Sequence, residues 1–233
     1  MEKKRTFDFW YAVNNTEVVT MPQRHLETFG TTILTYHLVS ELMDSVDQIR
    51  IRSGRMKANP PQIITPEAYA HTFLEGFGEE AHKYIEWLRE HQQDVQILRY
   101  GYRLTQEAFS ENLVTDNIQA VVERVQEEVR QTADPMSAVL VGVDEPWDVC
   151  LIKLFWEIIQ QSAQANIKQL AQQHMFDKEG GVPHAVRQEI EKAFLAASKN
   201  NQLIPGLGKQ LETYGLFDEY QDRFFALVKA SKG

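Results

Sequence analysis

The sequence has little of what disulfide-linked and membrane-spanning proteins need. Cys150 is the single cysteine among 233 residues, so no disulfide framework can form within one chain, as is typical of a reducing compartment. No stretch approaches 18 uninterrupted apolar residues, so we expect no transmembrane helix. The charged first residues lead into a segment that contains Asp8, which does not fit a signal peptide. We therefore expect a cytoplasmic protein with no membrane partner.

The familiar catalytic motifs are also missing. We find no phosphate loop ending in Gly-Lys-Ser/Thr, no dinucleotide-binding glycine pattern, no His-Glu-x-x-His and no Gly-x-Ser-x-Gly. A non-catalytic protein is therefore favoured over an enzyme, and no cofactor is predicted.

Charge argues against polyanionic partners in one half of the chain. The formal net charge is −9. Residues 1–104 carry 12 basic and 14 acidic side chains, whereas residues 105–233 carry 12 and 19. The acidic second half is a poor candidate for binding nucleic acid, while the first half is close to neutral.

The first part of the chain has the pattern of β-strands. Residues 7–13 and 17–21 are rich in aromatic or β-branched residues and predict two strands around an Asn-Asn turn. Residues 31–42 fit a strand buried on both faces or a helix. In residues 48–57, alternating Ile and Arg followed by Ser53-Gly54 predict a hairpin.

Helical signals dominate after Thr65, which is followed by Pro66 at a favourable first position. Helical spacing then continues to Leu88, although two glycines interrupt it. Residues 95–104 slightly favour a strand, which could pair with the N-terminal sheet. We predict an α+β fold, with a β-rich part built from hairpins (1–64) followed by a mainly helical part (65–233), in one continuous domain.

A long central helix organises the helical part. The stretch 144–176 opens with Asp-Glu-Pro and has no further Pro or Gly. Its first half, residues 147–159, is apolar on nearly every side, so we expect it to be buried. Its second half is rich in amides and nearly uncharged, unlike most exposed helices.

The amide-rich half of this helix is the leading candidate for a partner interface, with an ordinary surface or a polar ligand site as alternatives. The predicted interface residues are Gln161, Gln164, Asn166, Gln169 and Gln173. On this basis we predict a non-catalytic protein that acts by association, with itself as a homo-oligomer or with another protein.

A basic set with interspersed tyrosines is the candidate for an anionic ligand, such as a phosphate group or nucleic acid, although nucleic acid is not favoured. The set comprises Arg50, Arg52, Arg55, Lys57, Arg99 and Arg103. The alternative is a solvated or internally ion-paired sheet face.

Histidines and glutamates at helical spacing suggest a metal site and hence a metal-dependent enzyme. The candidate ligands are His71, Glu75, Glu79 and His82, which one continuous helix would place on one side. The alternative is a solvated helix face. His25 and His37 lack any sequence neighbours that complete a catalytic set, so a structural role is favoured for both.

Overall fold

The computed structural model describes residues 8–43, 45, 47–60, 62–63, 74–91, 100–175, 177–179 and 182–231. Its helices are α1 Phe9–Asn14, α2 Glu79–His91, α3 Ile118–Thr132, α4 Trp147–Gln172, α5 His184–Lys199, α6 Ile204–Thr213 and α7 Phe217–Ala230. Its strands are β1 Glu17–Thr20, β2 Thr32–Glu41, β3 Gln48–Ala58, β4 Gln62–Ile63, β5 Leu74–Glu75, β6 Tyr100–Gly101, β7 Leu104–Thr115, β8 Ser137–Gly142, β9 Lys178–Glu179 and β10 Val182–Pro183. The predicted α+β class is confirmed.

A mixed six-stranded sheet forms the centre of the molecule, in the order β1-β8-β2-β3-β7-β5. The β2/β8 and β5/β7 pairs are parallel, and the other pairs are antiparallel. Because β7 and β8 belong to this sheet, it includes chain from both sides of residue 64. The division into parts 1–64 and 65–233 stays a prediction.

Alternating residues of the central strands assign the helices to the two faces of the sheet. Leu34, Tyr36 and Leu38 of β2 belong to the core that contains the apolar half of α4, with α1 and α2 packed beside it. Val39 instead joins the core formed with the valines of α3. Successive strand residues point to opposite faces, so α3 covers one face and α4 the other.

The predicted central helix is present as α4, and its first half is buried as expected. Helices α5, α6 and α7 have a separate apolar core, which includes Val186, Ile190 and Leu211. Within the described residues, no helix is long and apolar enough to cross a membrane.

Two local predictions in the first part are wrong. Residues 9–14 form α1 and not a strand, because the Asp8 side chain caps the helix by accepting from the Tyr11 N–H at 3.1 Å. Residues 48–57 are not a hairpin, because β3 runs straight through Ser53-Gly54 and pairs with β2 and β7 on its two sides.

The glycine in β3 serves a close approach between strands and not a turn. A Cβ atom at Gly54 would lie 2.6 Å from Cβ of Phe109 and 2.7 Å from the Tyr36 hydroxyl oxygen. Glycine inside a strand pattern has both meanings, turn or close approach, and only the neighbouring strands decide between them.

Candidate functional site

The amide-rich half of α4 is divided between surface and interior. Gln161, Gln164, Gln169 and Gln173 are exposed, whereas Asn166 is buried. The sequence grouped all five as one surface, but Asn166 faces inward, so the exposed candidate surface consists of the four glutamines. We call these four residues, of which Gln173 directly follows the last residue of α4, the glutamine face.

The interior side of this half is satisfied by hydrogen bonds within the chain. Asn166 donates to the Tyr102 hydroxyl at 2.6 Å, and burial raises the pKa of Tyr102 and keeps it protonated. The Thr28 hydroxyl lies 3.1 Å from Asn166 Oδ1, and Ser162 Oγ accepts the Leu26 N–H at 3.0 Å. The Thr28 hydroxyl also lies 2.5 Å from Oε1 of Gln169. The segment from Leu26 to Thr28 therefore covers one side of α4 and engages Gln169, while Gln161 and Gln164 remain on its exposed side.

Two arginines of the basic set form an ion cluster near the start of α4, in which Arg52 is buried and Glu111 is partly exposed. Arg50 donates to both carboxylate oxygens of Asp144, at 2.8 and 3.0 Å. Arg52 is only 2% exposed, donates to Glu111 at 2.6 Å and lies over the Trp147 ring, 5.0 Å from its centroid. Nη1 of Arg52 is 2.9 Å from Asp144, but its N–H does not point at the oxygen, so this contact is ionic without a hydrogen bond.

The other members of the basic set lie elsewhere. Arg55 and Lys57 point to the opposite face of β3, and Arg55 pairs with Glu107 at 3.3 Å. Arg103 is exposed, and Arg99 lies outside the described residues. The five described cations thus do not converge, and two carboxylates already offset the charges of Arg50 and Arg52.

The histidine and glutamate stripe does not lie on one helix. Glu75 belongs to β5, α2 begins only at Glu79, and His71 lies outside the described residues. Glu79 pairs with Lys83 at 2.9 Å, and Nδ1 of His82 is 2.8 Å from the carbonyl oxygen of Gly78. In the parts of the chain that the structure describes, no three His, Cys, Asp or Glu side chains are grouped to hold a metal ion.

A contact that the sequence did not reveal joins His37 to Ser53. These residues are opposite each other on β2 and β3, and Nδ1 of His37 lies 2.8 Å from Ser53 Oγ. Sixteen positions separate them, so only the strand register could have brought them together. A serine and a histidine in contact are two of the three members of a catalytic triad. This serine, however, lies in a regular strand and lacks the exposed turn of a nucleophile elbow.

Burial gives His37 a distinct pH dependence. Burial lowers the pKa of His37 below 6.5, although the carboxylates of Glu128 and Asp134 oppose this shift. The unfolded chain then binds the proton more readily, so stability is greatest above pH 6.5 and falls as the pH drops towards the lowered pKa. When the pH is lowered from 7.5 to 5.5, we expect the melting temperature of His37→Gln to fall by less than that of the wild type. Calorimetry measures both.

The pH effect of His37 can be separated from that of Asp134. Burial raises the pKa of Asp134, but hydrogen bonds from Met136, Thr35 and Ser137 outweigh this and leave it below 3.8. Its own contribution is therefore lost only in more acidic solution. Because the Asp134 carboxylate also opposes the lowering of the His37 pKa, Asp134→Asn should slightly enlarge the loss between pH 7.5 and 5.5, whereas His37→Gln reduces it. If the melting temperature of His37→Gln fell as much as that of the wild type over this pH range, the pH dependence could not be assigned to His37.

A shallow cavity of about 520 Å³ lies between α5 and α7. Its lining residues are His184, Arg187, Gln188, Glu191, Lys192 and Tyr220. Arg187 pairs with Glu219, and Glu191 pairs with Arg223, so the charges around the cavity largely offset each other.

Comparisons with protein-family models, curated proteins and solved structures find no match to this chain. Its function is therefore inferred from the chemistry of its own surfaces.

Proposed function

We propose that this is a non-catalytic cytoplasmic protein that acts by association, as a homo-oligomer or with another protein, and that the glutamine face of α4 is its partner surface. The observation that carries the proposal is the exposure of this face together with its lack of charge. From residue 160 to residue 176, Lys168 is the only Lys, Arg, Asp or Glu.

An uncharged amide surface suits a partner interface for a physical reason. Burying a charge against a partner costs far more than burying an amide that finds a hydrogen-bonding partner. The cores of protein interfaces are accordingly depleted of charged side chains. The interior side of the same helix is held by Asn166 and Ser162, so the glutamine face is presented on a fixed backbone.

The two alternatives have weaker support. An anionic ligand would have to displace Asp144 or Glu111 from Arg50 and Arg52, since these ion pairs already exist. A metal-dependent enzyme would need the ligands His71 and Glu75 to join Glu79 from outside α2.

A photo-crosslinking amino acid in place of Gln164, introduced in cells that produce the protein, tests the partner surface. We expect one or a few discrete adducts, near twice 26.9 kDa if the partner is a second copy. Adding Gln161→Glu and Gln169→Glu should reduce the adduct at least tenfold, because two carboxylates would be desolvated at the interface.

Gln221 provides the matched position, since it is an exposed glutamine on α7. We expect no discrete adduct from the same crosslinker there. Equal adduct patterns at positions 164 and 221 would show that the glutamine face is not an interface.

A further inference from the structure

The outer edge of β7 offers a long backbone surface. Strand β5 pairs only with Leu104 and Thr105 at the beginning of β7. Among the described residues, no strand pairs with the outer edge from residue 106 to residue 115. Every second residue of such an edge presents its N–H and C=O groups outward, so the regular stretch from Phe109 to Thr115 is available to another strand.

The protection of this edge is incomplete. The register shift between Gly54 and Met56 marks a bulge in β7 near residues 107–108, but the strand pairs regularly from Phe109 to Thr115. Natural edge strands carry Lys or Pro, or are very short, but residues 105–115 contain neither and the strand is long. The acids Glu107 and Glu111 are engaged by Arg55 and Arg52 of β3. Two large apolar side chains on the strand are exposed, Phe109 at 41% and Leu113 at 59%.

We propose that a second copy of this chain pairs antiparallel with the edge of β7, about a two-fold axis at Glu111. An axis perpendicular to the sheet keeps each residue on its own face, so residues of equal parity lie opposite each other. Centring at Glu111 places Phe109 opposite Leu113 of the second copy, and Ser110 opposite Asn112. Apolar side chains then meet apolar ones, and polar side chains meet polar ones.

Neighbouring registers are less favourable. An axis at Ser110 places Phe109 opposite Glu111, and an axis at Asn112 places Leu113 opposite Glu111. An axis at Phe109 places the bulged residues near 107–108 opposite Ser110 and Glu111, which interrupts regular pairing. Among the four registers compared, the axis at Glu111 gives the best match of β7 with itself, which favours a second copy over an unrelated strand.

The central Glu111 pair does not oppose the proposed register. Each Glu111 carboxylate lies 2.6 Å from Arg52 and 3.9 Å from Arg50, in a cluster that also contains Asp144. Two cations and two anions give each cluster no net charge, so the repulsion across the axis is small.

This inference rests on the homo-oligomer of the proposed function and places the contact between the two copies at β7. The glutamine face of α4 would then bind another protein. Sedimentation equilibrium of the full chain tests it. We expect a dimer, and a dissociation constant at least tenfold higher for Leu113→Lys, because two lysines would each face Phe109 of the other copy.

Leu195→Lys is the matched control, because Leu195 is equally exposed, at 63%, but lies on α5. It should leave the dimer unchanged, and circular dichroism of both variants shows whether they fold. If the wild type is a monomer, or if Leu113→Lys folds and dimerises as the wild type does, the inference fails. If the double variant Gln161→Glu/Gln164→Glu dissociates the dimer and Leu113→Lys does not, self-association occurs through the glutamine face. In that case the inference about β7 fails and the proposed function is retained.

Disulfide formation between single-cysteine variants tests the register. A mixture of Ser110→Cys and Asn112→Cys should cross-link faster than either alone, because opposite Cβ atoms in an antiparallel pair are about 4.5–5.5 Å apart and diagonal ones are farther. Cys150 is buried, so we expect it to form no disulfide in this experiment. Equal rates for the mixture and the separate variants would exclude the axis at Glu111.

Discussion

Arg52→Ala is expected to lower the free energy of unfolding by about 3–5 kcal/mol. The substitution removes a cation that is almost fully buried, and it leaves Asp144 with Arg50 as its remaining partner in the cluster. It also removes the guanidinium group that packs on Trp147. Urea unfolding followed by tryptophan fluorescence measures the effect, since Trp147 reports on this region.

Arg55→Ala is the control for the same residue type on the same strand. Arg55 is 64% exposed on its side chain, and its pair with Glu107 is in contact with solvent. Exposed ion pairs contribute about 0–1 kcal/mol, so we expect a change within that range. Equal losses for the two variants would refute the view that burial makes the Arg52 cluster important for stability.

Gly54→Ala is expected to be nearly as destabilising, by about 2–3 kcal/mol. The new Cβ would come within 3.0 Å of Phe109 Cβ and of the Tyr36 hydroxyl oxygen, distances that force the strands apart. Tyr36 is fully buried and accepts a hydrogen bond from Gln106 at 3.3 Å, so it has little room to move. The midpoint of urea unfolding should fall accordingly.

The same substitution at Gly206 should have the opposite sign. Gly206 is exposed in α6, and no atom lies within 4 Å of the position of its added Cβ. Alanine in a helix is favoured over glycine by about 0.5 kcal/mol or more, so Gly206→Ala should stabilise the protein slightly. If Gly54→Ala left the free energy of unfolding unchanged, β3 and β7 would be able to adjust to the added methyl group, and the prediction for Gly54 would be wrong.

Periodic features of the sequence predicted their structures well, because periodicity is a local property. The buried first half of α4 follows from the apolar side chains on nearly every side of a single helix. Strand β2 could not be told from a helix, since a twelve-residue stretch of mixed apolar and polar residues suits both. Its pairing with β3 and β8 decided the matter.

The candidate sites were harder to predict, because their contacts join distant parts of the chain. Arg50 meets an aspartate 94 positions away, and the buried Asn166 meets a tyrosine 64 positions away. Composition identified both segments as unusual but gave no indication of which side chains would be paired internally. The single glycine of β3 was interpreted as a turn for the same reason, since its neighbours Tyr36 and Phe109 belong to other strands.

The separate core of α5, α6 and α7 has a consequence for how unfolding is observed. All four tryptophans lie at positions 10, 87, 147 and 156, before that core begins. Tryptophan emission therefore follows the sheet and the helices packed on it, while the last three helices contribute only tyrosine and phenylalanine signals. Circular dichroism records both cores, so comparing the two signals shows whether the cores melt as one cooperative unit or as two.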